Sequence, residues 1–196
     1  MPSGDELRPP PAPSVKFTYE DFLNFPDDGK RHEIIDGEHF VTPSPNMKHQ
    51  ALSANLTAIL WTYLKTHPLG AVFAAPFDVV FSDLDVVEPD LLYVSRERAG
   101  VLTEKDVRGA PDLVVEILSP STRKIDELTK RKLYERFEVQ EYWLVDPELD
   151  TVKVYRHIGE TFARVAELGA EAGDMLTTPL LPSFSAPLAD IFASPI

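Results

Sequence analysis

The segment PDLVVEILS, residues 111–119, most constrains how this chain can fold. Its content of Leu, Val and Ile predicts a β-strand buried within a sheet. Side chains alternate along a strand, so Asp112 and Glu116 share one face with Val114 and Leu118. An ionised carboxylate on an apolar face is costly unless it is paired, hydrogen-bonded or bound to a cation. Glu116 therefore predicts a charged site within a buried sheet.

A second carboxylate, Asp90, shows the same anomaly in VVEPDLLYV, where an apolar run follows it at once. If this strand neighbours residues 111–119, Asp90 and Glu116 converge. Mg²⁺ and Mn²⁺ prefer hard oxygen ligands and typically take one or two carboxylates, with water or phosphate in the other positions. The two acids therefore predict a divalent-metal site. Asp112 differs because it follows Pro111 at the start of its strand, where a structural role is favoured.

The helix predicted after Glu116 carries a lysine on its inward face. Leu133, Tyr134 and Phe137 form one apolar stripe, and Lys130 falls within it because it precedes them by three, four and seven residues. A lysine on that face can bring its ammonium group to the carboxylates. There it can stabilise the developing charge of a phosphorane or orient an attacking water molecule.

The composition limits what such a site can do. With 196 residues, 43% of them hydrophobic, the chain suits a single core. Its 19 Lys and Arg against 32 Asp and Glu give a formal net charge of −13, which opposes non-specific attraction to a polyanion. Residues 123–136 are locally net positive and form either a solvated face or a phosphate-contacting patch. The absence of cysteine excludes disulfides and thiolate zinc sites.

The chain is predicted to consist of a flexible, Pro-rich tail at residues 1–16 and one domain at residues 17–196. The domain is predicted to be α/β, with a central mixed β-sheet flanked by α-helices. Its elements include a hairpin turning at Asp36-Gly37, a long helix over residues 45–66, and one strand each in AVFAAPFDVVFS and VVEPDLLYVS. The sequence has no apolar run suited to a signal peptide or a membrane span, so we expect a cytoplasmic protein with no membrane partner.

Five segments together resemble the bacterial Uma family of restriction-endonuclease-like proteins, in the PD-(D/E)xK nuclease superfamily. They are RHEIIDGE, MKHQALSANL, VVEPDLLYV, APDLVVEILSPST and KLYERFEVQEYWLVDP, and the resemblance spans about residues 17–190. It implies a restriction-endonuclease-like fold with an active site of Asp90, Glu116 and a lysine. The usual signature has that lysine two residues after the glutamate, where this chain has Leu118. The matching lysine lies on the following helix and is Lys130, which the helical stripe selects independently.

The resemblance also bears on three further residues. Glu33 of HEIIDGE matches an acid that related nucleases carry near the first helix, where it assists metal or water positioning, although it could equally pin the hairpin. The backbone carbonyl of Ile117 is expected to complete the metal shell together with the two carboxylates. His49 precedes Leu52 by three residues on the inward stripe of the long helix, where a core role is favoured over a catalytic one.

The expected function is that of a metal-dependent endonuclease that hydrolyses nucleic-acid phosphodiester bonds, with DNA as the expected substrate and Mg²⁺ or Mn²⁺ as the cofactor. The alternative is a catalytically silent nucleic-acid-binding or regulatory module on the same fold, which the charge of −13 favours. Hydrolysis of a smaller phosphoester is a weaker enzymatic alternative. Cutting both strands of a duplex favours paired sites, so a homodimer is compatible with this function, but no interface motif indicates one.

Overall fold

The computed structural model describes residues 15–194, so the predicted tail at residues 1–16 lies outside the described residues except for its last two. The helices are α1 (Tyr19–Phe22), α2 (Met47–Thr66), α3 (Arg131–Arg136) and α4 (Leu188–Ile191), with a 3₁₀ turn at Ala99–Val101 and a π-helical segment at Ile125–Lys130 that runs directly into α3. The strands, in chain order, are β1 (Arg31–Ile35), β2 (Glu38–Thr42), β3 (Gly70–Ala74), β4 (Asp78–Ser82), β5 (Asp85–Val87), β6 (Leu91–Ser95), β7 (Asp106–Arg108), β8 (Leu113–Ile117), β9 (Glu141–Asp146), β10 (Thr151–Ile158), β11 (Thr161–Gly169), β12 (Met175–Leu176) and β13 (Ala186–Pro187).

Two mixed sheets form the body of the domain. The larger has the strand order β11-β10-β9-β8-β6-β3, and the smaller has the order β2-β1-β5-β4-β7. In the larger sheet β8 lies between β6, to which it is antiparallel, and β9, to which it is parallel. In the smaller sheet the β4–β7 pair is parallel. The α/β class and the mixed sheet are as predicted. The sequence predicted one central sheet, whereas the structure divides the strands between two.

Two cores lie on opposite faces of the larger sheet, and β8 shows the predicted alternation between them. Its odd-numbered residues, such as Val115, belong to a core that contains four leucines of α2. Its even-numbered neighbours, Val114 and Leu118, belong to a second core with α3 and the smaller sheet. Glu116 shares the parity of this second set, so its carboxylate points between the larger sheet and α3.

The segments predicted as two strands form four. AVFAAPFDVVFS is broken at Pro76 into β3 and β4, and VVEPDLLYVS is broken at Pro89 into β5 and β6. Proline has no N–H to donate to a ladder, so each proline falls where the chain leaves a sheet. β3 pairs with β6 in the larger sheet, whereas β4 pairs with β5 in the smaller one. The prediction of one continuous strand in each segment was therefore wrong.

Local signals account for the elements that carry the site. Asp36 and Gly37 have φ values of 51° and 75°, and they form the predicted two-residue turn between β1 and β2. The side chain of Asn46 accepts a hydrogen bond from the backbone N–H of His49 and caps α2, so this helix begins just after Pro45.

Between residues 15 and 194, no helix combines the length and the apolar character that crossing a bilayer requires.

Candidate active site

Asp90 and Glu116 lie side by side on neighbouring strands. Leu91 of β6 pairs with Val115 of β8, which places the two acids one position further along the antiparallel ladder. The backbone N–H of Ile117 donates to Asp90 Oδ2 at 2.7 Å, which holds the Asp90 carboxylate against β8. Both side chains are buried, with 3% of Asp90 and 2% of Glu116 exposed. The sheet thus brings together the two predicted metal ligands.

Lys130 lies among three carboxylates. Its Nζ is 2.7 Å from Glu33 Oε1, 3.0 Å from Glu116 Oε1 and 3.7 Å from Asp126 Oδ1, and only 3% of the residue is exposed. Lys130 ends the π-helical segment, a rare form that is frequent at functional sites. Glu33 is itself fixed, because its Oε1 accepts a hydrogen bond from the backbone N–H of Glu88 at 2.9 Å. The ammonium group therefore has a fixed position above β8.

Asp90 is held on its other side by two cationic or polar groups. Arg31 Nη1 donates to Asp90 Oδ1 at 2.9 Å, and its Nε donates to Glu88 at 2.8 Å. His49 Nε2 lies 3.1 Å from Asp90 Oδ2, and the buried His49 Nδ1 has no hydrogen-bond partner among residues 15–194. Burial opposes ionisation of Asp90, but the hydrogen bond with His49 and the charge of Arg31 outweigh it and lower the pKa of Asp90 to about 2. Asp90 is therefore an anion.

Glu116 has the opposite electrostatic character. Burial, with the charges of Asp126 and Asp90, raises the pKa of Glu116 to about 8, although Lys130 opposes this rise. Burial alone would lower the pKa of Lys130, but the charges of Glu116, Glu33 and Asp126 raise it above its usual range. Lys130 thus acts as a permanent cation and not as a base. The pKa of Glu116 is raised mainly because its carboxylate is buried, and the neighbouring acids add to this effect.

The donor set fits a hard divalent cation. The carboxylates of Asp90 and Glu116 lie on neighbouring segments of the sheet, and both residues and Ile117 border the same cleft. In residues 15–194 no group of three or more His, Asp and Glu side chains is arranged to hold a metal alone. Mg²⁺ and Mn²⁺ do not need such a cage, because one or two carboxylates suffice when water and phosphate complete the shell. Five carboxyl groups also lie around the two cationic side chains Arg31 and Lys130, which leaves acidic groups available to a further cation. They are those of Glu33, Glu88, Asp90, Glu116 and Asp126.

A cleft of about 520 Å³ leads to these groups. Asp90, Glu116, Ile117 and Lys130 line it, and because they are buried they form its base. Its walls include residues 42–46, which join β2 to α2, and residues 119–122, which follow β8. Arg31 and His49 border it as well. The site is thus reached from solvent through one polar cleft.

The comparison with known families decides the family of this chain. The model of the Uma2 family, described as "Putative restriction endonuclease", matches residues 19–189. The chain belongs to the Uma2 family. No curated protein matches it significantly.

One solved structure shows the fold of this Uma2 chain. A "putative nuclease belonging to DUF820" from Anabaena variabilis ATCC 29413 is similar with a TM-score of 0.74 and 24% sequence identity, over 90% of this chain and 97% of that chain. The type IIG restriction endonuclease BpuSI matches with a TM-score of 0.40 and 12% identity, over 74% of this chain and 15% of that chain. The first similarity shows the restriction-endonuclease-like fold.

Three members of the site were not predicted from the sequence, although the spacing of each one indicates its position. Arg31 lies two residues before Glu33 on β1 and so shares its face. Asp126 and Tyr134 lie four residues before and after Lys130, on the same side of their helical segment. Tyr134 Oη donates to Glu116 Oε1 at 2.6 Å, so it orients this carboxylate. His49, which was predicted to belong to the core, borders the cleft instead.

The basic residues at 123–136 do not form a free positive surface. Arg123 pairs with Asp146 and Glu148, and Arg136 pairs with Asp36 and Asp85. Lys130 is buried, while Lys124 and Lys132 are exposed. Three of the six basic residues of this window, Arg123, Lys130 and Arg136, are therefore already paired with neighbouring acids.

Proposed function

We propose that this Uma2 chain is a metal-dependent endonuclease that hydrolyses phosphodiester bonds of nucleic acid, with DNA as its expected substrate. The observation that carries this proposal is the buried Lys130 ammonium, held 3.0 Å from Glu116 on a strand whose neighbour supplies Asp90. Burying such a set of charges costs stability, and it is explained by chemistry that needs them. The family of the chain supports the same reaction class.

Asp90 and Glu116, with the backbone carbonyl of Ile117, would hold Mg²⁺ or Mn²⁺ in this proposal. Bound there, the cation supplies Lewis-acid polarisation of the phosphate and a more acidic water. Arg31 and His49 keep the Asp90 carboxylate ionised and oriented. Tyr134 Oη donates a hydrogen bond of 2.6 Å to Glu116 Oε1 and thereby orients this carboxyl group.

Lys130 would stabilise the negative charge that develops on the phosphate oxygens. Its raised pKa keeps the ammonium protonated, so it offers positive charge and hydrogen-bond donors and does not remove a proton. Glu33 is a positioning residue in this account, because its carboxylate lies 2.7 Å from Lys130 Nζ and fixes the ammonium in place. These side chains are buried, and electrostatic interactions are stronger there than in bulk water because the effective dielectric constant is lower.

A cleavage assay tests the proposal. Wild type should cut labelled DNA in Mg²⁺ or Mn²⁺ and should stop when the metal is chelated, while Glu116→Gln, which keeps the side-chain shape, should lose the activity. The rival function is a catalytically silent nucleic-acid-binding or regulatory module, and the formal charge of −13 and the paired Arg123 and Arg136 speak against efficient capture of a polyanion by a nuclease. Binding of nucleic acid by folded wild type, without cleavage in either metal, would establish that rival.

A further inference from the structure

The reactive groups of the proposed site lie at the bottom of the cleft. Asp90 and Lys130 are each 3% exposed, and Glu116 is 2% exposed. A phosphate must therefore enter the cleft before it can meet them. In a duplex the two strands are held together, so a phosphate of one strand can go deeper only if the partner strand also approaches or the strands separate.

The cleft is small, with a volume of about 520 Å³. The cleft volume falls within the range of about 300–1,000 Å³ that is typical of sites for small ligands. Pro43, Pro45 and Pro120 belong to its walls, and proline restricts the backbone motion that would widen them. The dimensions suit a short stretch of one strand.

The mouth of the cleft offers hydroxyl groups beside paired cations. Extended binding of either a duplex or a single strand depends on several phosphate contacts from Lys and Arg, whereas a short segment needs few. The cations near the cleft are paired with acids at short distances: Lys30 with Asp28 at 3.0 Å, Lys48 with Asp150 at 2.9 Å and Arg123 with Asp146 at 2.6 Å. Hydroxyl groups of Ser44, Ser121 and Thr122 line the cleft and can donate to the few phosphates of a short unpaired segment.

We infer that the substrate of the proposed nuclease is an unpaired nucleic-acid strand, either free or as the single-stranded part of a branched or tailed duplex. This inference rests on the proposed function and narrows it. Intact duplex reaches the site only after local strand separation, which lowers its rate of cleavage. The cleft walls, and not a base-reading surface, thus select the substrate.

The test compares one labelled DNA sequence in three forms, incubated with the full-length protein and Mn²⁺: single strand, blunt duplex, and duplex with a single-stranded tail. We expect the single strand to be cut at least about tenfold faster than the blunt duplex, because opening one base-pair step costs about a factor of ten. The tailed duplex should be cut within its tail. Equal or faster cleavage of the blunt duplex overturns the inference and leaves the proposed nuclease function intact.

A dinucleoside phosphodiester serves as a further substrate that is small enough for the cleft regardless of strandedness. Its Mn²⁺-dependent hydrolysis, lost in Lys130→Met and kept in Lys132→Met, would show that the chemistry is present. A single-strand preference on top of that result supports the inference. If none of the substrates is hydrolysed, the proposed function fails, and the inference falls with it.

Discussion

At the scale of single residues, Arg31 and a divalent cation would use the same carboxylate. Arg31 Nη1 donates to Asp90 Oδ1 at 2.9 Å. A cation bound by this oxygen would have to share it with Arg31 or displace the guanidinium group. The Arg31 side chain is 17% exposed, against 3% for Lys130, so Arg31 is the cation of the site with more room to move. We therefore expect Arg31 to weaken the affinity of the proposed site for metal while it stabilises Asp90.

Arg31→Met should lower the melting temperature without metal and enlarge the stabilisation by Mn²⁺. The substitution removes the competing guanidinium and leaves Asp90 and Glu88 in need of a cation. A metal that binds only the folded protein stabilises it by about 2.7 kcal/mol at one hundred times its dissociation constant. Melting curves over a series of Mn²⁺ concentrations give the affinity, which should be tighter in the variant.

Arg164→Met is the matched control, because Arg164 pairs with Glu167 on the surface, where both side chains are about half exposed. Its response to Mn²⁺ should equal that of wild type. An unchanged or weaker Mn²⁺ affinity in Arg31→Met would show that Arg31 does not compete for the Asp90 carboxylate.

At the scale of elements, the local periodicity of the sequence predicted which face each side chain occupies. It could not predict which distant segments pair. The period of two along PDLVVEILS placed Glu116 on the face of Val114, and the helical stripe placed Lys130 on the inward face, since each pattern depends only on neighbouring residues. The assignment of strands to two sheets depends on which distant strand each one meets. Arg31 was missed for that reason, because its partners Glu88 and Asp90 lie more than fifty residues away.

β4 carries an acid, Asp78, whose ionisation works against folding. Burial, with the charges of Glu88, Asp106 and Glu33, raises the pKa of Asp78 to about 6 from an ordinary value of 3.8. The folded protein therefore holds this proton more tightly than the unfolded chain does. Stability is lost as the pH rises from about 4 to about 6, and the loss is complete above that range.

Asp78→Asn should remove this loss, because asparagine stays neutral. We expect the variant to melt higher than wild type at about pH 7 and to differ little below about pH 3, where Asp78 is mostly protonated in both states. Thermal denaturation across this pH range measures the difference. A variant less stable than wild type at neutral pH would mean that the Asp78 carboxylate is stabilising as an anion.

At the scale of the whole molecule, the proposed site is assembled from segments far apart in the chain. β1 supplies Arg31 and Glu33, α2 supplies His49, the residue before β6 is Asp90, β8 supplies Glu116 and the π-helical segment supplies Lys130. The packing of both sheets and the helices brings these side chains together. A chain with a formal charge of −13 thereby keeps the buried Lys130 and the partly buried Arg31 beside several carboxylates.

The activity of Lys130→Met beside that of Lys132→Met tests the central claim most directly. Methionine removes the charge of Lys130 at similar length, while Lys132 is exposed on the same helix. Loss of a buried ion-pair partner costs about 3–5 kcal/mol, so both variants are compared below the melting temperature of the weaker one. In Mn²⁺ with a single-stranded substrate, we predict that Lys130→Met cuts about a hundredfold to a thousandfold more slowly than wild type and that Lys132→Met cuts equally fast. Folded Lys130→Met with the full rate of wild type would contradict the account.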